Sequence, residues 1–166
     1  MGDEVRVYST MGHFQTSRVL SVFHHFHSSV KLLEVYTDNN DDEPIRLTPK
    51  HSILIGKQSH SQHSFKFDYA SILEIGDSLL SSNLKPVRVI NIKEIMIYNQ
   101  TISTPLTFEG NIIANDFIAS CYGTYSHSLM HLLSGPFRYW SRVELFPQLN
   151  TLVIHVLDLY AKFMVF

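Results

Sequence analysis

Short runs of β-branched and aromatic residues, cut by turn-formers at intervals of roughly ten residues, fill the chain as far as Tyr122. Runs that short cannot make helices with crossover connections. They predict an all-β sandwich or barrel, with strands at Glu4–Tyr8, Arg18–His24, Val30–Tyr36, Ile45–Leu47, Ser52–Ile55, Ser64–Phe67, Ser78–Leu80, Val87–Tyr98, Leu106–Phe108, Asn111–Ile113 and Phe117–Tyr122. The cluster Asp38-Asn39-Asn40-Asp41-Asp42 has side chains that bond their own backbone, so it is expected to close a hairpin. Lys57 to Ser64 is polar and serine-rich with no period, and is expected to be an exposed loop.

An internal echo adds to this pattern. Gly2-Asp3-Glu4-Val5 is answered by Gly76-Asp77-Ser78-Leu79, and Arg18-Val19-Leu20-Ser21-Val22 by Arg88-Val89-Ile90-Asn91-Ile92. Each half then runs through a long strand, a turn and another strand, which predicts two related β subunits about a pseudo-twofold axis. After Tyr122 the character changes. Ser126–Ser134 suits a helix, Gly135-Pro136 breaks it, and Arg138–Leu145 suits a second. In the segment 152–164 the residues Leu152, Val153, Val156, Leu157, Tyr160, Phe163 and Met164 fall on one side of a helical wheel, a stripe fit for docking on the protein or for contact with a lipid surface. The expected division is therefore a β domain over 1–122 and a helical tail over 123–166.

Charge and length exclude several classes. Thirteen Lys and Arg against 15 Asp and Glu leave a net charge of −2, without the basic surplus that phosphate neutralisation needs, so no nucleic-acid partner is expected. The apolar stretch Leu152–Phe166 is interrupted by His155, Asp158 and Lys162 and is shorter than the roughly 20 residues of a spanning helix. Met1 to Val7 has neither a basic nor an apolar signal region, so no secretory signal is expected within these residues. The lone cysteine, Cys121, excludes an intrachain disulfide.

Three groups stand out as able to carry chemistry: Thr48-Pro49-Lys50-His51, the tract His24-His25-Phe26-His27, and Ala119-Ser120-Cys121-Tyr122. Thr48-Pro49-Lys50-His51 places a hydroxyl and an imidazole at a strand end, where they could also be a satisfied turn. The tract His24-His25-Phe26-His27 alternates along a strand, with His25 and His27 on one face and His24 on the other, which weakens a three-histidine metal site. His127 and His131 have ligand spacing on a helix, yet no acidic neighbour completes a zinc pattern, and neither metal nor cofactor is expected. Cys121, alone, reads equally as a small buried apolar residue.

Taken in order, these segments resemble the C-terminal autoprocessing domain of Hedgehog-type proteins, a member of the Hint family shared with inteins. The resemblance rests on Gly2-Asp3-x-Val5, Thr48-Pro49-Lys50-His51, Ala70-x-x-Leu73-x-x-Gly76-Asp77, Pro86-Val87-Arg88-Val89, and the run from Thr104-Pro105-Leu106-Thr107 through Gly110-Asn111-Ile112-Ile113 to Ala119-Ser120-Cys121-Tyr122. It implies a Hint-type fold and a self-cleaving reaction. A cysteine at the start of the domain attacks the preceding carbonyl in an N-to-S acyl shift, and cholesterol or another nucleophile then releases the upstream precursor segment as an ester. It also implies His51 as the residue that polarises and protonates the scissile amide, and Thr48 as its companion. His24 is implied as the base for the sterol hydroxyl, with His25 one register step away, and Cys121 as a second cysteine that is not the nucleophile. A sterol- or adduct-recognition role for the tail and maturation in the secretory pathway follow from the same likeness. The chain departs from the pattern in one respect. Family domains open on Cys-Phe and further strands before the Gly-Asp that here follows Met1, so no nucleophile stands among these residues and the expectation is an inactive or partial copy. The alternative expectation is a non-catalytic β-module that binds a sterol or a protein through its helical tail.

Overall fold

The computed structural model describes residues 3–57, 64–123 and 125–143. The amphipathic stripe 152–164 and most of the Lys57–Ser64 loop lie outside the described residues. The elements are β1 (Glu4–Tyr8), β2 (Phe14–Thr37), β3 (Asn40–Leu47), β4 (Ser52–Gly56), β5 (Phe65–Tyr69), β6 (Ser78–Leu80), β7 (Pro86–Thr107), β8 (Asn111–Ala114) and β9 (Phe117–Ser120), followed by the helices α1 (His127–Leu133) and α2 (Gly135–Val143). The strands form one sheet in the order β1-β2-β7-β6-β4-β9-β8, with β3 added to β2 and β5 to β4.

Two long strands organise it. β2 and β7 run antiparallel from Val19 opposite Thr107 to Thr37 opposite Val89. The echoed segments Arg18-Val19 and Arg88-Val89 therefore stand at opposite ends of one ribbon in equivalent places. β1 flanks β2 as β6 flanks β7, which is the pseudo-twofold arrangement the repeat implies.

The sequence breaks each long strand in two, at residues 25–29 and 99–105, and the structure runs through both. Polar residues interrupt the apolar alternation there without ending the ladder, because the partner strand supplies the hydrogen bonds whatever the side chains are. His24, Phe26 and Ser28 are exposed, whereas His25 and His27 are half-buried. Pro44 is accommodated on β3, which among the described residues pairs only with β2 and so leaves an edge where a missing donor costs nothing.

The principal core is made by Leu33 and Val35 of β2, Ile45 and Leu47 of β3, Ile53 and Ile55 of β4, Leu79 of β6, Val87 and Val89 of β7, and Phe117 of β9. β4 is buried along its whole length and reads as an unbroken Ile-Leu-Ile run because it lies between β5 on one side and β6 and β9 on the other. Each such side chain contributes roughly 1.5–3 kcal/mol.

The two ends of the sheet are drawn together by one side chain. Asn111, at the start of β8, accepts the Tyr8 N–H at 2.8 Å and donates to the Tyr8 carbonyl at 2.9 Å, so β1 is tied to β8 and the sheet nearly closes into a barrel. Asn111 is 4% exposed. Replacing it with Ala strands both Tyr8 backbone groups, and is expected to lower stability by about 2–3 kcal/mol, measurable as a fall in the urea midpoint at constant m-value.

Both helices lie close to where the sequence puts them, except that Gly135-Pro136 opens α2 rather than merely ending α1. Proline is tolerated in a first turn, where its missing N–H has no intrahelical partner to lose. Met130 and Phe137 pack on Leu106, Cys121 and Tyr122, so the helices share apolar surface with the barrel.

Candidate functional site

The turn between β3 and β4 carries Thr48 and His51. The His51 N–H donates to the Thr48 carbonyl at 2.9 Å, while Ser71 N–H bonds the Pro49 carbonyl and Ala70 N–H the His51 carbonyl, each at 2.8 Å. A single turn of 3-10 helix at Ala70–Ile72 thus pins the turn from below. β4 pairs with β9 at Ile53 and Ala119, which brings Ser120 beside His51. The Ser120 carbonyl accepts from the His51 ring and favours its protonated form. Burial acts more strongly in the other direction, holding the His51 pKa below the ordinary histidine value. At neutral pH the imidazole is uncharged, fit to take up a proton and to pass it on.

Thr48 and His51 open on a cavity of about 590 Å³. Its other polar lining comes from His25, His27 and Lys31 of β2, Arg46 of β3, Lys50 of the turn, Ser103 and Thr104 of β7 and Ser120 of β9, and its apolar lining includes Val30, Leu32, Ile97, Ile102 and Ile112. A concave, mainly apolar space of this size with a few convergent polar groups suits a small-molecule substrate. His24 is not among the lining residues. It is exposed, and its Nδ1 lies 2.8 Å from the Ser103 Oγ directly across the ribbon. The structure therefore brings Thr48, His51, His25 and His27 together, and leaves His24 on the other face of β2.

Cys121 follows Ser120 and is 4% exposed. Its N–H donates to the Gly110 carbonyl at 2.8 Å, and its Sγ stands 3.6 Å from the Thr107 Oγ1. Burial pushes its pKa up to about 11, so it rests as a thiol, and a thiol is a poor nucleophile. Thr107 is the partner of Val19, whose N–H bonds the Asp3 carbonyl at 2.8 Å. A continuous path of backbone and side-chain contacts accordingly joins the first described residue to Cys121, Ser120 and His51.

Sequence reasoning assigned no role to Ser120, although it lies in a quoted motif. Its contribution is a backbone carbonyl, which every residue type has, so no side-chain signal marks it. His127 and His131 do not converge on a shared centre. Their rings stack at 5.4 Å between centroids and 14° between planes, and no group of three His, Cys, Asp or Glu stands together among the described residues.

A family model described as "Hint module" matches residues 1–165. Among curated proteins, the chain is 30% identical over 118 residues to Protein hedgehog of Drosophila erecta, covering 68% of this chain and 24% of that protein. It is 26% identical over 109 residues to Sonic hedgehog protein of Xenopus laevis, covering 63% of this chain and 24% of that protein. The chain thus spans about a quarter of the length of these relatives. Among solved structures, a KlbA intein precursor from Methanococcus jannaschii superposes with a TM-score of 0.60 at 21% identity, over 77% of this chain and 67% of that one. A bacterial intein-like domain from Clostridium thermocellum gives 0.57 at 18% identity, over 72% and 81%. These last two likenesses concern the fold.

Proposed function

The chain belongs to the Hint family, and from that premise we propose that it carries the acid–base half of a Hedgehog-type self-cleaving site. In this reading a thiol that is not Cys121 attacks the carbonyl of the preceding peptide bond. The S–C bond forms and the C–N bond breaks, and the proton leaving the thiol reaches the departing nitrogen through His51. Thr48 steadies the turn that presents His51. In the second step a hydroxyl nucleophile, a sterol by resemblance, attacks the thioester. Its oxygen bonds to the acyl carbon, its proton goes to a base, and the thiolate leaves. The upstream segment departs as an ester, and the reaction belongs to the secretory pathway.

The observation that carries the proposal is the joint lining of one apolar cavity by Thr48, His51 and His25. It also favours His25 over His24 as the second-step base, since His25 is among the cavity's lining residues and His24 is not. The test uses a chain extended at its start by the Cys-Phe-led segment of the family pattern, incubated with thiol or with sterol. His25→Ala is expected to spare thiol-induced release and to slow sterol transfer by about 10²-fold or more, whereas His24→Ala leaves both rates near wild type. The reverse pattern would reassign the base to His24. A folded, extended chain that neither step cleaves would favour the non-catalytic β-module.

A further inference from the structure

We propose that the acyl acceptor taken by the cavity is a hydroxylated lipid that carries a carboxylate, and that Lys50 selects for the charge. The inference rests on the proposed self-cleaving reaction and narrows its second step. The lining is lopsided in charge. Lys31 of β2, Arg46 of β3 and Lys50 of the turn belong to it, and among the described residues no Asp or Glu does. All three cations come from one side. The β2–β3 ladder ends at Leu33 opposite Leu47, so the turn 48–51 runs on beside Val30 to Leu32, and these segments line the cavity together. β7, β8 and β9 add no charge to the lining and bring Ile102, Ile112 and Ala119 instead. A ligand matched to both sides has an apolar body and an anionic end at the turn that bears His51.

Nearby carboxylates do not cancel this asymmetry. Lys31 pairs with Glu94 at 2.8 Å and Arg46 with Glu34 at 2.9 Å, but Lys93 also acts on Glu34 and sits over the Tyr36 ring at 4.8 Å. Four cations, Lys31, Arg46, Lys50 and Lys93, thus stand with two carboxylates, Glu34 and Glu94, and a surplus of positive charge remains while the histidines are neutral. The Lys31 pair is also weak. Its side chains are 51% and 63% exposed, and a solvated pair is readily given up for a better placed anion. Lys50 is exposed and makes no ion pair among the described residues, so it has no such partner to surrender. A neutral lipid would cover the apolar side and leave the cationic side unmatched.

The test is isothermal titration of the 166-residue chain at low salt and about pH 8, where histidine is neutral. The probes are 3-hydroxydodecanoate and cholate, a chain and a ring system, each compared with its own uncharged primary amide below micelle-forming concentrations. At least one acid is expected to bind about tenfold more tightly than its amide, the usual contribution of a hydrogen bond to a charged group. Lys50→Met keeps the apolar stem and removes the charge. It is expected to cut that ratio by about fivefold through weaker binding of the acid, and about 0.5 M salt is expected to compress the ratio likewise. Acids that bind no more tightly than their amides, or a ratio that survives Lys50→Met, would overturn the proposal. Charge-selective binding in a chain whose Cys-led form does not cleave would remove the proposed function alone. In a Cys-led chain that does cleave, release by the amide as fast as by the acid would remove the charge selection alone.

Discussion

His51→Ala in the Cys-led chain is expected to reduce thiol-induced release of the upstream segment by about 10²- to 10⁴-fold, the usual contribution of a positioned proton donor, while leaving the fold intact. The chemistry demands an effect of this size. Amine departure needs a proton at the nitrogen as the C–N bond breaks, and among the residues that line the cavity His51 is the imidazole held by the Ser120 carbonyl. The fold should survive because His51 is tied to the turn by its backbone, through the Thr48 carbonyl and the Ala70 N–H, and Ala retains both bonds. Near-wild-type release from a folded His51→Ala chain would assign the proton to another group.

Gly110→Ala is expected to be among the most destabilising single substitutions available, at about 2–4 kcal/mol from left-handed backbone strain and overpacking combined. Gly110 has φ +69°, and a Cβ there would stand 2.5 Å from the His131 Nδ1 and 2.9 Å from the Tyr122 hydroxyl. Neither neighbour can yield cheaply. The His131 ring is stacked on His127, and the Tyr122 hydroxyl is bonded to Ser134. Moving either one shifts α1 away from β9 and disturbs Ser120. Urea unfolding monitored by the near-ultraviolet signal of the buried aromatic groups gives the measurement. An unchanged midpoint would mean that α1 sits more loosely on the barrel than these contacts require.

Residues whose role is set by local chemistry were legible in the sequence. Glu4–Tyr8 and Ser78–Leu80 match β1 and β6 residue for residue, because each is a clean β run bounded by turn-formers. The echo of Arg18-Val19 in Arg88-Val89 carried the twofold, since equivalent positions in a paired ribbon need the same residue classes. The uninterrupted length of β2 and β7 was not legible. A polar run such as His24 to Ser29 loses its alternation when neither face is fully buried, and only the partner strand reveals that the ladder continues. Which of His24 and His25 lines the cavity was illegible for the same reason. Their parity relative to the cavity depends on the twist of a ribbon whose two faces are both partly polar. Arg138 falls in the second predicted helix, and its burial against the carbonyls of Phe108 and His131 is a placement that only the packing of α2 decides.

The most direct measurement is the search for the thioester itself. The Cys-led chain is treated with neutral hydroxylamine, which cleaves thioesters and spares amides, and the products are weighed by mass spectrometry. The account predicts an upstream fragment bearing a C-terminal hydroxamate, formed with His51 present and absent in His51→Ala. A folded chain recovered uncleaved, with no hydroxamate, would contradict it.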